Sequence, residues 1–363
     1  MFQSLFLFLR VYVIGLSLTY TIFFIQYFKA HSGILNPILF RFLVFSSLSG
    51  LALIPGIVLT SKHSSPLVIG LSLVFILALF MKCFSFIRGC RLLCLYNKGR
   101  IDYPYPELSF NEGLWSEPID NTNFPGNVSL KNFSFFLIAP TFVYQPAFEL
   151  KEDRSISSLL FLSLLLWSSC FAAYFILVQF FLPVLDRSDL TNPSISTILS
   201  SVIQLLIPAN LVWLLGFFAI FHCGLGICAE VLRFKSDGFY GSWWNSTTLE
   251  DFWRDWNTLT HRWLKKHVYD EGRNYFKLKK LNASLLTFFC SAVFHELIMA
   301  FSFKVIRPYF FIAMVMQCLC IPLSKSIGGK MPLLGNVLCW LNLIIGQPLI
   351  TVLYFGEYYS RSS

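Results

Sequence analysis

Apolar residues run through the chain in long unbroken stretches, and polar residues gather between them. Such stretches fall at about residues 5–28, 38–59, 67–86, 158–182, 195–232, 281–303, 309–327 and 334–355. Each approaches or exceeds the roughly 20 residues a helix needs to cross a bilayer. Helices satisfy their own backbone there, as isolated strands do not. The pattern therefore predicts an all-α polytopic membrane protein with about eight transmembrane helices. Pro55 interrupts the second stretch, and the long fifth one reads as a single tilted helix kinked near Pro208 and Asn210.

The intervening polar residues set the expected topology. Arg88, Arg91, Lys98 and Arg100 cluster after the third span, which by the positive-inside rule is a cytosolic end. Counting back places Lys62 and His63 in a short lumenal loop, Lys29 and Arg41 inside, and the amino terminus in the lumen. Counting forward places the turn at Asp186–Pro193 in the lumen, the loop of Lys325 and Lys330 in the cytosol, and the carboxyl terminus in the lumen. Residues 99–157 form a cytosolic segment whose apolar part, 133–144, is too short to span and reads as interfacial or re-entrant. Leu249, Phe252, Trp256, Leu259 and Trp263 recur at helical spacing and predict an amphipathic helix over 248–269. Its other face carries Glu250, Asp251, Arg254, Asp255, Arg262, Lys265 and Lys266, which suits a helix lying along a membrane surface. Residues 1–363 read as a single membrane-embedded domain: three spans to 98, the cytosolic loop to 157, two spans to 235, the amphipathic segment to 280, and three last spans.

Composition agrees: 56% of the 363 residues are hydrophobic and 13% charged, against about 25% charged in soluble domains. The net charge of +9 comes from residues beside apolar spans, a topological pattern rather than a nucleic-acid footprint. Ten cysteines lie mostly inside apolar stretches with no C-x-x-C pair, so they read as reduced apolar residues, not a disulfide or zinc framework. The first span shows no signal-peptide cleavage site. The sequons at Asn127, Asn132, Asn245 and Asn282 fall on the cytosolic side or at a membrane edge and are expected to stay unglycosylated.

Candidate chemistry concentrates in the last third. His295 and Glu296 sit near the middle of the sixth span, where an ionisable pair is costly and marks a functional site by default. An imidazole satisfied by a neighbouring helix is the alternative. Asn257, Gln317, Asn342 and Gln347 add polar groups nearby in sequence, though buried amides also simply bridge helices at about 1 kcal/mol. His295-Glu296 is not a zinc signature, because Met299 stands where H-E-x-x-H needs its second imidazole. No G-x-S-x-G elbow, P-loop or dinucleotide fingerprint is present.

Several longer motifs then resemble a known family. FYGSWWN, Phe239 to Asn245, resembles the FYxDWWN signature of the sterol and diacylglycerol acyltransferases, branches of the membrane-bound O-acyltransferase family. The likeness continues through FWRDWN…HRWLKKHVY, through FHE at Phe294 to Glu296, and upstream through FFLIAPTFVYQ at Phe135 to Gln145. The tail NLIIGQPLITVLYFGEYY, Asn342 to Tyr359, is closer to the diacylglycerol branch. The resemblance covers roughly residue 38 to the end. Ser242 replaces the acid of the signature, which puts a charge contact of the family in doubt. The chain also reads as starting one span late and without the family's polar leader, a segment that helps assemble dimers, so a homo-oligomer is left open.

The resemblance implies acyl transfer from acyl-CoA to a lipid alcohol inside an intramembrane tunnel, in the endoplasmic reticulum membrane, with no cofactor beyond the acyl-CoA co-substrate. By motif, His295 becomes the catalytic histidine, Asn257 its partner and Glu296 the acidic neighbour. Gln317, Gln347 and Met314 line the acceptor pocket, and Trp244, Asn245 and Trp256 join the substrate-binding positions. The chemistry is coherent with the residues. An alcohol must lose its proton as it attacks a thioester, and a neutral imidazole is a suitable base; apolar burial favours that neutral form. Arg254, Arg262, Lys265, Lys266 and Arg273 would attract CoA phosphates or hold the amphipathic helix to anionic lipid. Diacylglycerol is the expected acceptor, a sterol the nearest rival, and a lipid transporter or lipid-binding protein without chemistry the reading from another class.

Overall fold

The computed structural model describes residues 2–60, 65–101, 124–190, 193–236 and 238–362. The expected loop at Lys62 and His63 and the polar stretch 102–123 lie outside them. The described residues are almost wholly helical, with one isolated bridge between Leu150 and Phe234. Among the described residues eight helices are long and apolar enough to cross a membrane: Phe6–His31, Pro37–Leu59, Pro66–Asn97, Ile156–Arg187, Ile195–Val231, Lys280–Phe303, Tyr309–Gly328 and Pro332–Arg361. The eight predicted spans are all present, several of them longer than their apolar runs. The chain forms two compact units, Met1–Arg154 with Val231–Lys235, and Ser155–Glu230 with Ser236–Ser363.

The first unit contains α1 (Phe2–His31), α2 (Pro37–Thr60), α3 (Pro66–Asn97) and the short α4 (Leu130–Ile138). The first three pack on one another. Helix α3 runs past the apolar stretch that predicted its end near residue 86, because Gly89, Cys90 and Leu93 are buried and keep it in contact with the unit. Arg88 and Arg91 are thus helical residues rather than loop residues.

Within the apolar stretch 133–144, Phe133, Phe136, Ala139 and Tyr144 are buried in this unit while Ile138 is exposed. Ser129 caps α4 by accepting the Asn132 amide. The Phe133 ring stacks on Phe23 with centroids 5.0 Å apart and lies 4.7 Å from Phe86. Lys82 on α3 then closes the helix end. Its ammonium donates to the carbonyls of Phe136, Ala139 and Thr141 at 2.8, 2.6 and 2.7 Å. Three donors thus meet three acceptors, in part carbonyls that a helix end leaves orphaned. The Asn127 and Asn132 side chains are buried here too, Asn127 donating to the Tyr144 hydroxyl at 2.9 Å.

The second unit carries the remaining helices. Helix α5 (Ile156–Ile176) passes through a π-turn at Leu177–Phe181 into α6 (Leu182–Arg187), and α7 (Ile195–Phe217) through a second π-turn at Phe218–Gly224 into α8 (Leu225–Val231). The amphipathic segment is α9 (Leu249–Trp256), α10 (Thr258–Leu264), a π-turn at Lys265–Tyr269, and α11 (Asp270–Asn274). Three long helices follow: α12 (Lys280–Phe303), α13 (Tyr309–Gly328) and α14 (Pro332–Ser362). Between lipid-exposed helices the hydrophobic effect supplies little, so packing and polar bonds hold the bundle. Asn210 is such a bond: its side-chain amide donates to Leu206 O at 2.8 Å and across to Ile344 O of α14 at 2.9 Å. Below it, Phe181, Leu185, Val202, Leu205 and Val352 form a buried core.

Candidate active site

The predicted amphipathic helix over 248–269 is broken at Asn257. That residue leaves helical geometry, with φ −142° and ψ 87°, and its side-chain oxygen accepts the Thr260 amide at 3.0 Å. Asn257 is therefore the N-cap of α10, an arrangement asparagine favours because its carbonyl reaches the orphan amides of the first turn. The cap uses one lone pair of Oδ1, and the Nδ2 protons are the donors of this side chain. The apolar residues stay in step across the break. Leu249 and Phe252 are buried on α9, and Leu259 and Trp263 on α10.

The same segment is anchored by aromatic packing. Trp256 stacks on Trp213 of α7 at 4.3 Å and on Phe217 at 3.9 Å, with Trp243 edge-on at 4.9 Å. Trp256 thus belongs to an aromatic core. Trp244 and Asn245 lie in the short 3₁₀ turn Trp243–Asn245, where both are exposed. The Trp244 carbonyl accepts from Asn336 Nδ2 at 2.9 Å and from the Trp340 indole at 3.1 Å, and Asn336 also donates to Ser246 O at 3.0 Å. Leu249 N donates to Ser324 Oγ at 3.1 Å, and Glu250 pairs with Lys325. Signature loop, α13 and α14 are joined by these bonds. Ser242, where the signature has an acid, is exposed and makes no capping bond.

His295 sits on α12, half-buried. Its Nδ1 lies 2.8 Å from the Ser291 carbonyl one turn back. A carbonyl only accepts, so Nδ1 carries a proton, and in the neutral ring Nε2 keeps its lone pair. One ring face is covered by Phe310 of α13, parallel within 6° at a centroid distance of 5.0 Å. Beside it, Phe294 meets Trp263 of α10 edge-on at 6.2 Å, which packs the amphipathic segment against α12.

Glu296 is bonded to α13 and α14. Its Oε2 accepts Phe311 N at 2.9 Å and its Oε1 accepts the Tyr354 hydroxyl at 2.7 Å. One carboxylate thereby ties α12 to the first turn of α13 and to the fully buried Tyr354 of α14.

On α13, Gln317 donates from Nε2 to Asn342 Oδ1 of α14 at 2.7 Å, while its own Oε1 is buried without a partner among the described residues. Met314, one turn away, is buried. Gln347 is half-buried, and its backbone carbonyl accepts the Thr351 hydroxyl. Among the described residues no hydrogen bond joins Asn257, Gln317 or Gln347 to His295. They belong to one unit without forming one bonded cluster.

The basic residues are partly committed to local partners. Arg254 pairs with Asp251 at 2.8 Å and Asp255 at 2.9 Å, bonds that raise its pKa above the ordinary arginine value. Arg273 donates to the Leu278 carbonyl. His261 on α10 has its pKa lowered, first by burial and then by Lys265 and Arg254.

Sequence reasoning did not find Phe310, Tyr354, Asn336, Trp340 or Ser324. Asn336 carried the one usable signal, a polar side chain inside an apolar span.

Fold and site together define a polytopic α-helical membrane protein with a titratable pair inside a membrane-length helix. The sequence profile of MBOAT, the membrane-bound O-acyltransferase family, matches residues 4–356. The chain belongs to that family. It is 33% identical over 284 residues to "Diacylglycerol O-acyltransferase 1" of Dictyostelium discoideum, covering 74% of this chain and 44% of that protein. Against "Diacylglycerol O-acyltransferase 1B" of Glycine max it is 32% identical over 251 residues, 66% of this chain and 48% of the relative. Against "Diacylglycerol O-acyltransferase 1" of Bos taurus it is 29% identical over 304 residues, 80% and 58% respectively. The chain spans about half the length of the curated relatives it matches.

Proposed function

We propose that this chain transfers a fatty acyl group from acyl-CoA to diacylglycerol, giving triacylglycerol, in the endoplasmic reticulum membrane. His295 is the general base, within an intramembrane tunnel where thioester and alcohol meet. Its Nε2 takes the proton of the acceptor hydroxyl as that oxygen attacks the thioester carbonyl. The C–O ester bond forms, the C–S bond breaks, and the imidazolium returns the proton to the departing thiolate as free CoA. A thioester is already activated, so no covalent enzyme intermediate is needed.

The observation that carries the reading is the bond from His295 Nδ1 to the Ser291 carbonyl, which leaves Nε2 as an acceptor on a membrane-length helix. The diacylglycerol O-acyltransferases among the relatives supply the substrate class. Asn257 takes the role of oxyanion donor through Nδ2, the group its cap leaves over; one such donor is worth about 3 kcal/mol in comparable sites. Gln317 offers Oε1 to the acceptor hydroxyl.

Microsomes expressing the chain, given labelled oleoyl-CoA with diacylglycerol or with cholesterol, test this directly. Labelled triacylglycerol supports the proposal. Steryl ester in its place assigns the chain to the sterol branch, and neither product removes the chemistry.

A further inference from the structure

Resting on the reading of His295 as the base, we infer that Glu296 and Tyr354 are positioning residues that act on the imidazole through the ring of Phe310. Both oxygens of Glu296 are engaged, by Phe311 N and by the Tyr354 hydroxyl. The Tyr354 hydroxyl in turn accepts Phe310 N at 3.3 Å and has the Arg307 carbonyl within 3.2 Å. Two consecutive amides in the first turn of α13 are thus held by one carboxylate–phenol pair.

Those amides are among the four that a helix start leaves without intrahelical partners. A carboxylate there also meets the positive end of the helix dipole. The pair therefore fixes where α13 begins, and Phe310 lies in that first turn with its ring parallel to His295. Tyr354 is fully buried and stacks on Phe303 at 5.4 Å, which keeps the phenol from following a displaced α13. Among the described residues the imidazole has one hydrogen bond of its own, to Ser291. The flat face of Phe310 is the second restraint and selects one orientation of Nε2. Small misplacements are costly: about 1 Å at a reacting group is worth up to roughly a hundredfold in rate.

The test uses the full chain purified into lipid nanodiscs, with labelled oleoyl-CoA and diacylglycerol. Phe310→Leu removes the flat face, and Tyr354→Phe deletes one oxygen. Each should lower kcat roughly ten- to a hundredfold while KM for oleoyl-CoA stays within about twofold, with turnover compared at equal folded protein because Tyr354→Phe also strips a partner from the Glu296 carboxylate. Phe310→Tyr, which keeps a ring, should recover most of the rate lost in Phe310→Leu. Because both changes act through one ring, the double variant should be no slower than Phe310→Leu alone. Wild-type kcat in Phe310→Leu or Tyr354→Phe, or losses that multiply in the double variant, overturns the inference while an inactive His295→Ala leaves the base intact. A fully active His295→Ala overturns the base and this inference with it.

Discussion

The side-chain oxygen of Asn257 accepts the Thr260 amide at 3.0 Å, so a residue expected at the active site also starts a helix. The two roles separate by substitution. Asn257→Ser keeps a capping oxygen, while Asn257→Ala costs about 1 kcal/mol of cap. If Nδ2 steadies the oxyanion, both variants should lose roughly a hundredfold or more in kcat, and only Asn257→Ala should melt earlier. A serine variant with wild-type turnover would leave Asn257 as a cap alone. Thermal melts beside turnover assays distinguish these.

Gly328 and Gly335 face the Thr247 carbonyl so closely that a Cβ on either would overlap that oxygen. Glycine to alanine inside a helix ordinarily stabilises by up to about 1 kcal/mol. Here the obstacle is backbone, which the bonds around Asn336 and Ser324 hold in place, so overpacking at about 1–3 kcal/mol wins. Gly335→Ala should lower the melting midpoint of the purified protein. A midpoint at or above wild type would show that the signature loop moves freely.

Lys82 gives its three ammonium donors to three carbonyls. Lys82→Met keeps the bulk but strips partners from buried acceptors, each worth about 1–3 kcal/mol. Expression of folded protein should fall sharply. Lys82→Arg should not restore it, because a planar guanidinium does not match three acceptors around one nitrogen. Fluorescence-detected size exclusion of tagged variants gives the answer.

His261 lies outside the spans, and its pKa is lowered by burial, Lys265 and Arg254, with Asp255 opposing. The folded state therefore binds fewer protons there than the unfolded chain does. Its contribution is present above the unfolded value near 6.5 and is lost as pH falls from there through the lowered folded value. The melting midpoint should drop between about pH 7 and pH 5, and the drop should be smaller in His261→Gln, which carries no titrating ring. An identical pH profile for the two proteins would show that His261 does not contribute to the pH dependence.

The spans were legible because membrane-length apolar runs leave few alternatives. Residues 309–327 were read and Tyr309–Gly328 is found. The break at Asn257 was hidden because the apolar period continues in phase across it. The burial of Phe133, Phe136 and Tyr144 was hidden because Lys82, which closes α4, is more than fifty residues away from Phe136 in sequence. The partner of Glu296 was out of reach for the same reason: Tyr354 is 58 residues distant, inside a run that reads as one apolar helix. Period and hydropathy are local signals, whereas the restraints around His295 are made between helices. His295 itself stood out because the cost of a titratable group at bilayer depth is a local property.

The most direct measurement is single-turnover acyl transfer by the purified chain in vesicles loaded with diacylglycerol, comparing wild type with His295→Ala at equal folded protein. Labelled triacylglycerol is expected from the wild type and only uncatalysed background from the variant, whose melting midpoint stays close to wild type. Equal product from the two proteins would contradict the assignment of His295 as the base.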